Sequence, residues 1–167
     1  MILDVAAQRP KFTASEAMDL TRDLYDIPGA VAWELPSDRD QNYYLEEEDG
    51  RAYVLKIAGA AEEEAVLDLQ NQTLLHLCER PQLANFVPRI CRTDGETLVA
   101  TVNGENGHVH FVRLLSHLPG VPLAIVRPHT SELLAESGNL LGKMDAALLD
   151  FSHPAMGRKL HWDLAHA

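Results

Sequence analysis

Residues 33–56 read WELPSDRDQNYYLEEEDGRAYVLK, and this stretch decides the fold. An apolar run over 30–35 enters a polar corner, Pro36-Ser37-Asp38-Arg39-Asp40-Gln41-Asn42. Tyr43-Tyr44-Leu45 follows, then a turn, Glu46-Glu47-Glu48-Asp49-Gly50, then Ala52-Tyr53-Val54-Leu55-Lys56-Ile57. Aromatic and β-branched residues bounded by an Asp-Gly turn predict three antiparallel strands in tight succession. A lysine late in the third strand, beneath a polar corner, suits a nucleotide. The corner arches over the phosphates and the lysine meets them from below.

The rest of the chain is read outward from this hairpin. Upstream, Thr13-Ala14-Ser15-Glu16 is a capping box with Phe12 before it, and Ala17, Leu20 and Leu24 share one helical face. Pro28-Gly29 is the expected end of that helix. Downstream, a second helix is expected over 61–79. Glu62, Glu63 and Glu64 stand in its first turn, Val66, Leu69, Leu74 and Leu77 form its stripe, and Pro81 closes it. Short strands are expected over 89–92, 97–102 and 108–115. Ser116-His117-Leu118-Pro119-Gly120 breaks the pattern as a hinge. A third helix over 130–150 shows a wide apolar face of Leu133, Leu140, Leu141, Met144, Ala147, Leu148 and Phe151, with Gly138 and Gly142 as points of close packing. Residues 152–167 read as irregular, anchored by Trp162. The fold class is α+β: a five- or six-stranded antiparallel sheet with flanking helices, a hinge, and the first helix of a second lobe.

Composition narrows the partners. A formal net charge of −11 over 167 residues argues against nucleic acid and anionic membrane surfaces, which attract basic stripes. No apolar run is long enough to span a bilayer, no leader-type apolar segment opens the chain, and the expected location is cytoplasmic. Cys78 and Cys91 read as two buried free thiols rather than a disulfide. His108 and His110 alternate along one strand, but no third ligand is placed beside them, and they read as a solvated strand face.

Taken in order, Leu35-Pro36-Ser37, Asp40-Gln41-Asn42, Tyr53-Val54-Leu55-Lys56-Ile57, Leu69-Gln70-Asn71, Val112-Arg113-Leu114-Leu115, Leu118-Pro119-Gly120 and Trp162-Asp163-Leu164 resemble the aminoglycoside phosphotransferase-like kinases, most closely their hydroxylysine kinase branch. The resemblance runs through nearly the whole chain. It implies a protein-kinase-like nucleotide-binding lobe over 1–118, followed by a hinge and the beginning of a helical substrate lobe over 119–167. It implies transfer of the γ-phosphoryl of ATP or GTP, with Mg²⁺, to a hydroxyl of an amino alcohol or hydroxylated amino acid.

By the same resemblance Lys56 neutralises the α- and β-phosphates. Ser37, Arg39, Gln41 and Asn42 occupy the phosphate-covering corner, although it has no glycine. Ser116 and Leu118 offer hinge backbone groups to the purine, and Leu114 lines the pocket beside the base; Val31, Trp33 and Leu55 are candidates to cover it, with core packing the default for each. Kinases hold this lysine with an acid on the next helix. The matching residue here is Gln70, a neutral partner, with Asp68 and Glu64 as nearby alternatives. His161-Trp162-Asp163 is not read as the catalytic H-x-D, because the asparagine due five residues on would fall beyond Ala167. The expectation is therefore that the general base and the metal ligands lie downstream of a chain inactive alone, with the remainder of the lobe packing on the third helix. Such modules also resemble the front end of fusions with a metallopeptidase-like domain and a class III aminotransferase, and pyridoxal phosphate is relevant only in such a fusion. The alternative class is a non-catalytic interaction module, favoured if the stripe of Leu133, Leu140, Met144 and Leu148 is left uncovered.

Overall fold

The computed structural model describes residues 9–29, 31–105 and 107–157. Its elements are α1 (Ala14–Tyr25), β1 (Val31–Leu35), β2 (Gln41–Glu46), β3 (Ala52–Ile57), α2 (Glu64–Cys78), β4 (Ile90–Cys91), β5 (Ala100–Asn103), β6 (Val109–Ser116) and α3 (Ser131–Leu148), with a short 3₁₀ turn at Pro154–Gly157. The six strands form one sheet in the order β1-β2-β3-β6-β4, and β5 pairs with the other half of the same β6 edge. Every pairing is antiparallel.

The capping box forms as the sequence predicts. The Glu16 N–H donates to Thr13 Oγ1, and Glu16 Oε2 accepts from the Thr13 N–H. The end of α1 differs from expectation. The helix stops at Tyr25, before Pro28-Gly29, because Asp26 turns left-handed (φ 53°) and its N–H caps Arg22 and Thr21. Gly29 then lets the chain cross the sheet closely, since a Cβ there would lie 3.3 Å from Leu45 Cδ2. α2 also begins later than expected. The Glu62 N–H closes a turn on the Gly59 carbonyl, and Glu63 is still extended as the N-cap.

Alternation gives the sheet two unlike faces. Tyr43, Leu45, Tyr53, Leu55, Ile57, Val112 and Leu114 turn toward α1 and form the main core with Ala17 and Tyr25. Full burial of each aliphatic side chain here stabilises the fold by about 1.5–3 kcal/mol. His110 belongs to this side. It is buried, its Nδ1 lies 2.9 Å from the Ala58 carbonyl, and its ring meets Phe12 edge-on. The solvated-face reading therefore fails for His110, whose ring is matched by an aromatic neighbour and a backbone acceptor.

A second core joins α2 to α3. Leu77, Leu83, Val87 and Ala147 are buried, with Leu74, Cys78, Leu140, Met144 and Leu148 packed against them. Cys78 and Cys91 are free and half-buried rather than fully buried. Burial raises both thiols above their ordinary value. Gly138 and Gly142 have open space where a Cβ would stand, so they are not contact points among the described residues. Trp162 lies outside the described residues, as does Asp163. No helix among the described residues is long and apolar enough to cross a membrane.

Candidate functional site

The face of the sheet turned away from α1 carries the candidate site. Residues opposed across an antiparallel ladder share a face. Asn42 on β2, Lys56 on β3 and Arg113 on β6 are opposed in one row. Trp33, Tyr44, Val54 and Leu115 form the next row toward the hinge. Cations and one amide thus stand beside an aromatic and aliphatic floor.

Lys56 is half-buried, and its ammonium donates to Asn42 Oδ1 at 3.1 Å. It forms no ion pair with a carboxylate among the described residues. Burial lowers its pKa below 10.5, Asp40 opposes that shift, and Arg113 adds to it. Asp40 turns its carboxylate to the backbone, where Oδ1 accepts from the Gly59 N–H at 3.2 Å. That bond ties the polar corner to the end of β3 and takes one oxygen away from the lysine. Such an ammonium, desolvated and held by a neutral amide, is suited to an incoming anion.

Gln70 holds Arg113. Its Oε1 accepts from the Arg113 guanidinium at 2.6 Å, Asn71 Oδ1 accepts at 2.7 Å, and the Leu67 carbonyl at 3.5 Å. Residues three and four apart lie on one helical face, so Leu67, Gln70 and Asn71 grip a single side chain. Asp68 faces elsewhere, accepting from Gln72 and contacting His153 Nε2 at 3.0 Å. Neither Gln70 nor Asp68 bonds Lys56.

The other predicted residues divide. Asn42 meets Lys56, and the corner with Ser37 and Arg39 sits at the same end of the hairpin, Ser37 half-buried and Arg39 exposed. Gln41 turns to the α1 side, where its amide bonds both backbone groups of Phe12 and the Tyr43 hydroxyl. Leu55 lies in the α1-facing core, its default place, and Leu114 lies there too, which corrects its expected place beside a base. One residue along each strand, Val54 and Leu115 stand on the open face instead. Trp33 is exposed and stacks on Tyr44, ring centroids 4.0 Å apart, while His117 meets Tyr44 edge-on at 4.9 Å. Ser116 is drawn into strand pairing: its N–H donates to the Arg89 carbonyl and its Oγ accepts from the Arg89 N–H. Leu118 is exposed just beyond it.

Sequence reasoning missed Arg113, Val54 and Leu115. Strand alternation carried through the Lys56–Arg113 register would have placed all three.

Neither Lys56 nor Arg113 lines either of two surface cavities. One, of about 550 Å³, is lined by Glu64, Asp68, Asn71 and Thr97–Val99, and another, of about 440 Å³, by Arg80, Lys143, Ala147 and Asp150.

Comparison with known proteins bears on the family and the fold. The chain is 30% identical over 148 residues to the hydroxylysine kinase of Danio rerio, covering 87% of this chain and 41% of that protein. It is 29% identical over 164 residues to the hydroxylysine kinase of Mus musculus, covering 90% and 42%. The chain thus spans well under half the length of these curated relatives. Among solved structures, an amicoumacin kinase in complex with AMP-PNP and Ca²⁺ superposes with a TM-score of 0.68 at 16% identity, over 92% of this chain and 44% of that one. A microcompartment-associated aminopropanol kinase superposes with a TM-score of 0.69 at 15% identity, over 92% and 46%. The fold is therefore that of the N-terminal lobe of kinase-like enzymes. The model of the phosphotransferase enzyme family matches residues 33–167, and the chain belongs to that family.

Proposed function

We propose that this chain carries the nucleotide-binding part of a small-molecule kinase that moves the γ-phosphoryl of ATP to a hydroxyl of an amino alcohol or hydroxylated amino acid. The observation that carries the reading is Lys56: half-buried on the open sheet face, bonded to a neutral amide, with no carboxylate paired to it among the described residues. The acceptor class rests on the hydroxylysine kinases among the relatives and the aminopropanol kinase among the structural neighbours.

The roles follow from chemistry. Lys56 supplies positive charge to the α- and β-phosphates, and Asn42 holds its ammonium in place. Ser37 and Arg39 in the corner cover the phosphates from above. Backbone groups around Ser116 and Leu118 meet the purine edge, with Val54, Leu115 and Trp33 flanking the ring. Bound nucleotide and its divalent metal supply the transferable phosphoryl group and the clamp on its charge. Residues 1–118 would form the nucleotide lobe, and 119–167 the hinge and the start of the substrate lobe. The outward side of α3, where Leu134, Leu141 and Leu149 are exposed, would be covered by further helices of that lobe.

Titration calorimetry with Mg·ATP tests this reading. Lys56→Met should weaken binding about tenfold or more with the fold intact, and adenosine should lose most of the difference between the two proteins. Equal Mg·ATP affinity in the two proteins would remove Lys56 from the site. It would favour the interaction-module reading instead, although of the Leu133, Leu140, Met144 and Leu148 stripe on which that reading rested, Leu140, Met144 and Leu148 are packed against the second core.

A further inference from the structure

Arg113 is 3% exposed and opposed to Lys56 across the β3–β6 ladder, so two cations stand side by side on the candidate face. A buried cation is costly unless hydrogen-bonded and charge-balanced. Arg113 has the hydrogen bonds, donating to Asn71 Oδ1, Gln70 Oε1 and the Leu67 carbonyl, but all three acceptors are neutral. Asp40, Glu62 and Tyr25 act on it only through space. The neutral grip has a visible cost. Asn71 is fully buried, and with its oxygen aimed at Arg113 its Nδ2 has no hydrogen-bond partner among the described residues. An aspartate at 71 would accept from Arg113, balance its charge and leave no orphan donor. The chain instead has amides at both 70 and 71.

We propose that Arg113 is a positioning cation of the phosphate site, held by Gln70 and Asn71 with no carboxylate ion-paired to it among the described residues, so that the charge it shares with Lys56 is balanced chiefly by the bound polyphosphate. This rests on the nucleotide-binding reading and extends it to a residue buried behind the lysine. Arg113 fixes α2 to the sheet through its forked donors, and its field keeps Lys56 attractive to an anion of two or more charges. The groups facing Lys56 are Asn42 and Asp40 from the β2 side and Arg113 from β6.

The test uses inorganic tripolyphosphate and Mg·ATP as separate probes, with the Lys56 ammonium followed by NMR. Asn71→Asp should melt higher than the native protein, yet bind tripolyphosphate about tenfold more weakly, since a fixed carboxylate replaces the ligand as counter-ion. Arg113→Gln should also weaken tripolyphosphate about tenfold and move the Lys56 titration upward. Arg113→Lys should keep the native Lys56 titration. A folded Asn71→Asp protein with undiminished tripolyphosphate affinity would overturn the proposal, as would an unmoved Lys56 titration in Arg113→Gln. If tripolyphosphate binds and responds to these variants while Mg·ATP binds no better, the polyphosphate cradle stands and the nucleotide reading fails. If neither probe binds the native protein, both are overturned.

Discussion

At the scale of single residues, the site depends on what Lys56 is denied. Its pKa is lowered by burial, so the charged form is disfavoured in the folded protein relative to the unfolded chain. The unfolded chain therefore binds more protons just below pH 10.5, and the lysine makes stability rise with pH across that alkaline window. An anionic ligand favours the ammonium, so binding runs the other way. Nucleotide affinity should fall as pH rises through the lowered Lys56 value, and the fall should begin below pH 10.5. Calorimetry between pH 7 and 10.5 reads this directly, and Lys56→Met should flatten the profile. Asn42→Asp makes a second residue-level prediction. A carboxylate 3.1 Å from the ammonium would raise the Lys56 pKa and repel phosphate, so Mg·ATP affinity should drop about tenfold while the hairpin stays folded.

At the scale of elements, caps and clasps decide which pieces stay put. The Thr13 hydroxyl accepts the Glu16 N–H at the start of α1. Thr13→Ala should cost about 0.5–2 kcal/mol in thermal or urea unfolding, because the helix N-terminus loses its partner. α2 is clasped to the segment after α3 by Asp68 with His153, and by His76 and Arg80 with Asp150. The His153 and Gln72 hydrogen bonds hold Asp68 below its ordinary carboxylate range. For a depressed carboxylate the stabilisation is present above the unfolded value of 3.8 and is lost as pH falls through the lower folded value. The pair is half-exposed on the aspartate side, so Asp68→Asn should cost no more than about 1 kcal/mol at neutral pH. Faster hydrogen exchange over 149–157 in that variant is the expected sign, and unchanged exchange would remove the clasp from the account.

Much of this level was legible in the sequence. The hairpin, the capping box, the break after β6 and the Thr130 start of α3 appear where patterning and turn chemistry put them. What was not legible depended on register and tertiary choice. One step of alternation separates Leu114, in the core, from Leu115, on the open face. Burial of His110 depends on Ala58 and Phe12, far away in sequence. The early stop of α1 came from Asp26 adopting a left-handed turn, which proline and glycine two and three residues on did not announce. Likewise Gln70 was expected beside Lys56, and only the β3–β6 pairing shows Arg113 in the way.

At the scale of the whole molecule, two cores do different work. The α1-facing core shapes the sheet, and the Leu77–Leu83–Val87–Ala147 cluster docks α3 onto α2. Leu83→Ala removes a fully buried side chain and should destabilise by about 2–5 kcal/mol. Leu141 is 62% exposed, and Leu141→Lys should change the stability of this chain by no more than about 0.5 kcal/mol. Urea unfolding of the two variants separates the inner side of α3, which belongs to this core, from its outer side.

The most direct test is amide NMR mapping of Mg·ATP onto the chain. The account predicts that the largest shifts fall on the open sheet face and hinge, at Asn42, Tyr44, Val54, Lys56, Leu115 and His117, with Lys56→Met abolishing them at equal ligand concentration. Shifts confined to α3 or to the groove between α2 and Thr97–Val99, with Lys56 unmoved, would contradict it.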